Sequence, residues 1–126
     1  MADKTDVKVL IVDDSVSHRS QLRRFLEELG NQVVEASTGM EALSMYGDLR
    51  PDIVALDRVM PELDGVTTLA RLRQVDPNVK VVMVSSSNTV AEMLEAREAG
   101  AKGFLLKPLR REKVEQAIRK LQELGK

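Results

Sequence analysis

The sequence predicts an α/β protein in which five parallel strands form a sheet between two layers of helices. Short runs rich in β-branched residues recur at VKVLIV (7 to 12), QVVEA (32 to 36), DIVAL (52 to 56), VKVVMV (79 to 84) and GFLL (103 to 106). The segments between them carry apolar residues at helical spacing. Several runs are apolar at consecutive positions, which is typical of parallel strands covered by helices on both faces.

The order of the elements follows from periodicity and punctuation. Helical spacing is clearest in the first and last helices, at Leu22, Phe25, Leu26 and Leu29 and at Val114, Ala117, Ile118 and Leu121. Glycines and prolines mark the expected ends of elements. Gly30 closes the first helix, Gly39 precedes the second, Pro51 starts the third strand, Asp76-Pro77 precedes the fourth strand and Gly100 ends the fourth helix. The run RREK (110 to 113) opens the fifth helix.

Length and composition exclude several classes of function. The 126 residues are expected to form one domain, 1-126. With 19 basic and 20 acidic residues, the chain has a net charge of -1, which does not favour binding to nucleic acid or to a membrane surface. The absence of cysteine excludes disulfides and thiolate metal sites and is compatible with the cytoplasm. No apolar stretch approaches the roughly 20 residues of a membrane-spanning helix. We therefore expect a cytoplasmic protein that recognises its partners locally.

Polar side chains follow four of the predicted strands. Asp13 and Asp14 come after the first strand, Asp57 after the third, Ser85 after the fourth and Lys107 after the fifth. Ligands of an open parallel sheet bind at the carboxyl ends of its strands, so we expect these side chains to meet. Taken singly, each residue is as well explained by a helix cap or a turn. Together, three converging acids would raise one another's pKa unless a cation neutralised them.

A hard divalent cation fits this predicted cluster. Mg²⁺ takes oxygen ligands, commonly one or two carboxylates together with water and phosphate oxygens. The pattern therefore favours phosphoryl chemistry, which requires positioning and neutralisation of charge more than covalent work by the protein. Asp57 could act as a nucleophile that forms an aspartyl phosphate, with Lys107 as a point charge and Ser85 as a hydroxyl donor on the phosphoryl oxygens.

Four segments carry a family resemblance: VLIVDDS (9 to 15), DIVALDRVMPELDG (52 to 65), VVMVSSS (81 to 87) and GAKGFLLKPL (100 to 109). In this order and spacing, they resemble the receiver domains of two-component response regulators of the CheY type. The resemblance covers essentially the whole chain. It implies a flavodoxin-like (βα)5 fold with strand order 2-1-3-4-5, without an output domain, and it favours the stand-alone chemotaxis type.

The resemblance implies roles for single residues. Asp57 matches the phosphoacceptor, and Lys107 matches the lysine before what is usually a cis proline. Ser85 matches the switch hydroxyl, and Phe104 matches the aromatic switch residue. The Mg²⁺ ligands of the family match three carboxylates and one backbone carbonyl, those of Asp13, Asp14, Asp57 and Val59.

The resemblance also implies a function. A histidine kinase would transfer the phosphoryl group of its phosphohistidine to Asp57, and the new charge would change the surface of helix 4, strand 5 and helix 5 for a protein target. The chain would catalyse only its own phosphorylation and dephosphorylation, as a monomer. The target would be a motor switch protein in chemotaxis or, as the alternative, a phosphotransferase in a phosphorelay.

A different class of function uses the same kind of residue. Phosphohydrolases of the haloacid dehalogenase kind also place an acidic nucleophile after a strand. They have a second acid two residues after the nucleophile, whereas Ser15 occupies that position relative to Asp13. The sequence also lacks a cap insertion that could enclose a substrate. The phosphohydrolase is therefore the less favoured alternative.

Two residues near the predicted site are not assigned by these arguments. Arg58 directly follows the acceptor at a position where the family more often has an apolar or aromatic residue, and it either contacts the phosphoryl donor or is solvated. His18 is the only histidine and falls on the apolar side of the first helix. We expect His18 to be packed or half-exposed, without a chemical role.

Overall fold

Strands and helices alternate along the whole of the described chain. The structure is a computed structural model that describes residues 7 to 124. The strands are β1 (Lys8–Val12), β2 (Gln32–Ala36), β3 (Ile53–Asp57), β4 (Val81–Ser85) and β5 (Gly103–Leu106). The helices are α1 (Val16–Glu28), α2 (Gly39–Leu49), α3 (Gly65–Val75), α4 (Val90–Ala99) and α5 (Arg111–Glu123). Within this part of the chain, no helix is long and apolar enough to cross a membrane, the longest having 13 residues.

The five strands form one sheet in the order β2-β1-β3-β4-β5, and every neighbouring pair is parallel. This confirms the predicted fold class and the strand order that the family resemblance implied. The order places β1 and β3 side by side at the centre. Their carboxyl ends are therefore neighbours, although the two strands lie far apart in sequence.

The core is divided by the sheet into two layers, which explains the consecutive apolar residues of the strands. Leu10 packs into one layer with residues of α2, α3 and α4, while Ile11 packs into the other with residues of α1 and α5. Val54 and Ala55 of β3 divide between the layers in the same way. Because successive side chains of a strand point to opposite faces, both faces of the central strands must be apolar.

Strand ends differ from the sequence prediction by one or two residues. β3 and β4 extend one residue further than predicted, so that Asp57 and Ser85 are the last residues of their strands and do not follow them. The extension arises because Asp57 pairs with Val84 and Ser85 pairs with Leu106 across the sheet. Both polar side chains are thereby held by strand geometry.

Four helices begin at a capping side chain close to the carboxyl edge of the sheet. Ser15, Thr38, Asp64 and Thr89 each accept a hydrogen bond from the backbone N–H three residues later. These caps satisfy amides that would otherwise lack partners at the helix start. Thr38 caps α2, so that Gly39 is the first residue of that helix and does not precede it as predicted. The caps fix where each loop ends and each helix begins.

Gly65, the first residue of α3, lies directly against the end of β3. A Cβ atom added at Gly65 would lie 2.4 Å from the carbonyl oxygen of Asp57 and 2.8 Å from the Cα atom of Arg58. The Gly65 N–H also donates to the Arg58 carbonyl at 2.9 Å. Only glycine allows this close approach of two backbone segments. The position of Asp57 therefore depends on Gly65.

We predict that Gly65→Ala lowers the free energy of unfolding by about 1 to 3 kcal/mol, because the added methyl group must displace backbone atoms. Gly47→Ala is the matched control. Gly47 lies in α2 with nothing within 4 Å of an added Cβ, and alanine should stabilise a helix there by about 0.5 to 1 kcal/mol. Urea denaturation measures both changes. Equal effects of the two substitutions would contradict the close-packing argument.

Candidate functional site

Three carboxylates converge at the carboxyl edge of the sheet. One oxygen each from Asp13, Asp14 and Asp57 lies within 4.8 Å of the other two. Asp13 and Asp57 are buried, whereas Asp14 is exposed. The parallel pairing of β1 with β3 produces this cluster, because it brings the ends of the two strands together. The structure thus brings together the three acids that the sequence predicted would meet.

The Lys107 ammonium group lies between the two buried carboxylates. Its Nζ atom is 3.3 Å from Asp13 Oδ2 and 3.3 Å from Asp57 Oδ1. A third contact, of 2.9 Å, joins it to His18 Nδ1. An ammonium has three N–H donors, so these three acceptors satisfy it. The Lys107–Pro108 peptide bond is cis, as the family resemblance implied.

Sequence reasoning missed the contact of His18 with Lys107. His18 lies in the first turn of α1, three residues after the capping Ser15, and its side chain is 48% exposed. That position is close to the loop that carries the acidic pair, and this closeness was the available signal. The helical pattern assigned His18 to the apolar side of the helix, and that assignment gave no indication of its contact with Lys107.

Burial raises the pKa of the Asp57 carboxyl above its ordinary value, and the charge of Asp13 raises it further. The Lys107 ammonium and the Val59 N–H, which donates to this carboxylate, act in the opposite direction but do not cancel these effects. The ammonium therefore does not offset the combined effect of burial and of the Asp13 charge on this pKa. A cluster of three carboxylates, one from each of Asp13, Asp14 and Asp57, offers the oxygen ligands that a hard divalent cation prefers.

Hydrogen bonds hold the acidic loop in place. Asp13 Oδ1 accepts from the Ser15 N–H at 2.8 Å, and the Asp13 carbonyl accepts from Arg19 Nη1 at 2.6 Å. Arg19 also donates from Nε to Glu35 on β2, at 2.8 Å. The loop is thus tied to α1 and, through Arg19, to the next strand of the sheet. Such bonds position a carboxylate before any ligand arrives.

Comparison with known proteins identifies the family. The sequence model of the family described as response regulator receiver domain matches residues 9–119. The chain belongs to this family. Chemotaxis protein CheY of Thermotoga maritima is 38% identical over 115 residues, which cover 90% of this chain and 96% of the relative. Chemotaxis protein CheY of Bacillus subtilis is 37% identical over 114 residues, which cover 90% and 95%.

A solved structure shares the fold of this receiver domain. The crystal structure of the CheX-CheY-BeF3-Mg complex from Borrelia burgdorferi superposes with a TM-score of 0.88 at 36% identity. The match covers 92% of this chain and 89% of that chain. The likeness therefore extends over nearly the whole fold.

The receiver domain places Ser85 and Phe104 on the two strands beyond β3. Ser85 is buried, and its Oγ atom accepts from the Ser87 N–H at 3.1 Å. Phe104 pairs with Met83 across the sheet and is partly buried. Its ring lines grooves against both α4 and α5. Ser85 is the last residue of β4, whereas Phe104 pairs two positions further back along that strand, and the switch roles of both residues remain predictions.

Arg58 forms an ion pair that the sequence did not predict. Its side chain is 24% exposed and forms an ion pair with α4, in which Arg58 Nη2 lies 3.1 Å from Glu92 Oε2. A weaker contact of 3.9 Å joins it to Glu95 Oε1. The guanidinium is therefore paired with α4 and partly exposed, and its contact with a phosphoryl donor stays a hypothesis. Sequence reasoning missed this pair because it depends on the position of α4 relative to β3.

We predict that Asp57→Asn raises the melting temperature at neutral pH without Mg²⁺. The pKa of Asp57 is raised above 3.8 in the folded chain, so the ionised carboxylate destabilises the fold at every pH above that raised pKa. The gain should shrink as pH falls through the raised pKa and vanish below 3.8. Adding Mg²⁺ should also reduce it. Thermal melts over a pH series measure this.

Asp14→Asn is the control for this prediction. Asp14 lies in the same cluster but is exposed, so water screens its charge and the gain in melting temperature should be smaller. A gain for Asp57→Asn that persists unchanged at low pH would show that ionisation of Asp57 is not its cause.

Proposed function

We propose that this receiver domain is a chemotaxis response regulator whose Asp57 accepts a phosphoryl group from a histidine kinase in the cytoplasm. The observation that carries the proposal is the buried Asp57 carboxylate beside Asp13, with the Lys107 ammonium 3.3 Å away. The relatives from Thermotoga maritima and Bacillus subtilis, both named chemotaxis protein CheY, support the biological role. They are matched over 96% and 95% of their lengths.

The proposed chemistry is a single displacement at phosphorus. A carboxylate oxygen of Asp57 forms the new P–O bond while the P–N bond of the phosphohistidine breaks, and the leaving imidazole takes up a proton. Lys107 binds a phosphoryl oxygen as a point charge, for which its place between two carboxylates prepares it. Mg²⁺, held by Asp13, Asp14, Asp57 and the Val59 carbonyl, would neutralise charge on the phosphoryl oxygens.

The proposed readout runs from Ser85 to the surface of α4, β5 and α5. A phosphoryl oxygen on Asp57 would attract the Ser85 hydroxyl, and Phe104 would turn into the space that this movement vacates. Exposed apolar side chains on α4 and β5 support this surface as the place where a protein target binds, and they are Val90, Met93, Leu94 and Leu106. The CheY of Borrelia burgdorferi forms a complex with CheX, which supports a protein partner for this chain too.

We predict that a small donor such as acetyl phosphate labels the protein with about one phosphoryl group per chain and slow turnover, in a Mg²⁺-dependent manner. Asp57→Asn should abolish labelling, because it removes the nucleophilic oxygen. Asp48→Asn, at an exposed aspartate of α2, is the control and should label normally. Mass spectrometry of the intact chain measures the adduct. Labelling of Asp57→Asn, or labelling in excess chelator, would contradict the assignment.

We predict that Ser85→Ala and Lys107→Ala leave Mg²⁺ binding largely intact but weaken the response around Phe104. Both residues would contact the phosphoryl group, and neither supplies a carboxylate to the metal. The measurement compares NMR shifts of α4 and β5 with and without phosphorylation. Normal shift changes in both variants would rule out this coupling route.

A further inference from the structure

A closed ring of contacts joins the phosphoacceptor loop to the loop that follows β4. Arg58 forms its ion pair with Glu92 Oε2, and Glu92 Oε1 accepts from the Ser87 hydroxyl. The Ser87 N–H in turn donates to Ser85 Oγ at 3.1 Å. The Arg58 N–H closes the ring by donating to the carbonyl of Val84 at 2.9 Å, one residue before Ser85.

Glu92 is the centre of this ring. It lies in the first turn of α4, where its own N–H donates to the capping Thr89 hydroxyl at 3.2 Å. That hydroxyl also donates to Glu92 Oε1 at 3.0 Å. The hydroxyls of Ser87 and Thr89, with a contribution from the Arg58 charge, lower the pKa of the Glu92 carboxyl below its ordinary value. The ring thus contains an ionised carboxylate. It joins α4 to the loop after β3 and to the loop after β4.

The hydrogen-bond donors of the Arg58 guanidinium are only partly satisfied. Its Nη2 atom has Glu92, but its Nε atom is buried and makes no hydrogen bond within residues 7 to 124. A buried N–H without an acceptor costs free energy, because it has lost its hydrogen bond to water. The side chain is therefore held by its ion pair with Glu92 and, at longer distance, by Glu95, and opening the ring would lose the first of these contacts.

The ring bears on the proposed switch because it includes the Ser85 hydroxyl. In the proposed switch, phosphorylation of Asp57 requires the Ser85 oxygen to move toward the phosphoryl group and away from the Ser87 amide. Ser87 cannot follow freely while its own hydroxyl is held by Glu92 and Glu92 is held by Arg58. Hydrogen-bonded chains of this kind couple the positions of their members.

We propose that Arg58 is a positioning residue that, through Glu92, holds the Ser85 hydroxyl in its resting position, so that phosphorylation must open the ring. This inference rests on the proposed function of Asp57. It assigns a role to a residue that the sequence left unexplained. It also makes Arg58, directly after the acceptor, the residue that sets how easily the β4–α4 loop responds.

The test compares the affinity for beryllofluoride, an analogue of the phosphoryl group, in saturating Mg²⁺. Arg58→Met keeps an unbranched apolar side chain but removes the guanidinium and its charge, and Glu92→Gln removes the opposite charge. Each should bind beryllofluoride about threefold to tenfold more tightly, since a partly exposed ion pair no longer opposes the bound state. The double variant should gain no more than either single variant, because both remove the same interaction.

Two controls separate positioning from loss of structure. Arg58→Lys retains a cation for Glu92 and should bind beryllofluoride as the wild type does. Thr38→Ala removes the cap of α2 and leaves the contacts among Arg58, Glu92 and Ser87 untouched, so it should bring no gain in affinity. Unchanged or weaker binding by Arg58→Met, additive gains in the double variant, or an equal gain in Thr38→Ala would each overturn the proposal.

Hydrogen exchange of the Ser87 amide distinguishes this failure from failure of the proposed function. In the unphosphorylated protein, Arg58→Met should accelerate exchange at Ser87, because the amide loses the support of the ring. This readout needs no phosphoryl group. If the wild type does not bind beryllofluoride, the proposed function fails. If it binds but Ser87 exchange is the same in Arg58→Met, only the ring is refuted.

Discussion

Repulsion among carboxylates held at one edge of a parallel sheet is the constraint on which the rest of this structure depends. Asp13 and Asp57 are buried at the ends of adjacent strands, where neither can turn fully to water. Positive and hydrogen-bond-donating groups surround the two carboxylates. Lys107 lies between the two carboxylates, the Ser15 amide binds one of them, and the Val59 amide binds the other. A cluster of three carboxylates with one neighbouring ammonium fits a divalent cation.

The sheet connects the acidic edge to β4 and, through β4, to β5. Asp57 pairs with Val84, and the next residue, Ser85, pairs with Leu106, so that β4 lies directly between the acceptor and β5. Gly65 packs closely against the backbone of β3, which restricts movement of the Asp57 backbone. Under the proposed function, movement would therefore be directed into the loop after β4 and into α4, whose start is held by hydrogen bonds. Packed cores deform in discrete steps, which is compatible with such a switch.

Arg58 and His18 show how a receiver domain is modified without change to its fold. Both lie next to the acidic cluster, and both contact residues far away in sequence, Arg58 through Glu92 and His18 through Lys107. Neither contributes a carboxylate, yet each bears on a group that the proposed chemistry uses. Residues of this kind can adjust the response of the site, because the strands that carry the acids remain where they were.

The sequence by itself determined the fold class, the number of strands and helices, and the acids, hydroxyl and lysine expected at one edge. These follow from local patterns, since alternating and helical spacings reflect burial and strand ends show which side chains reach the loops. The strand order came from family resemblance, because consecutive apolar runs do not say which strands are neighbours. Only the tertiary structure decided the partners of Arg58 and His18 and the close approach at Gly65. Those contacts join segments distant along the chain, and their geometry depends on how each helix packs on the sheet, which no local pattern encodes.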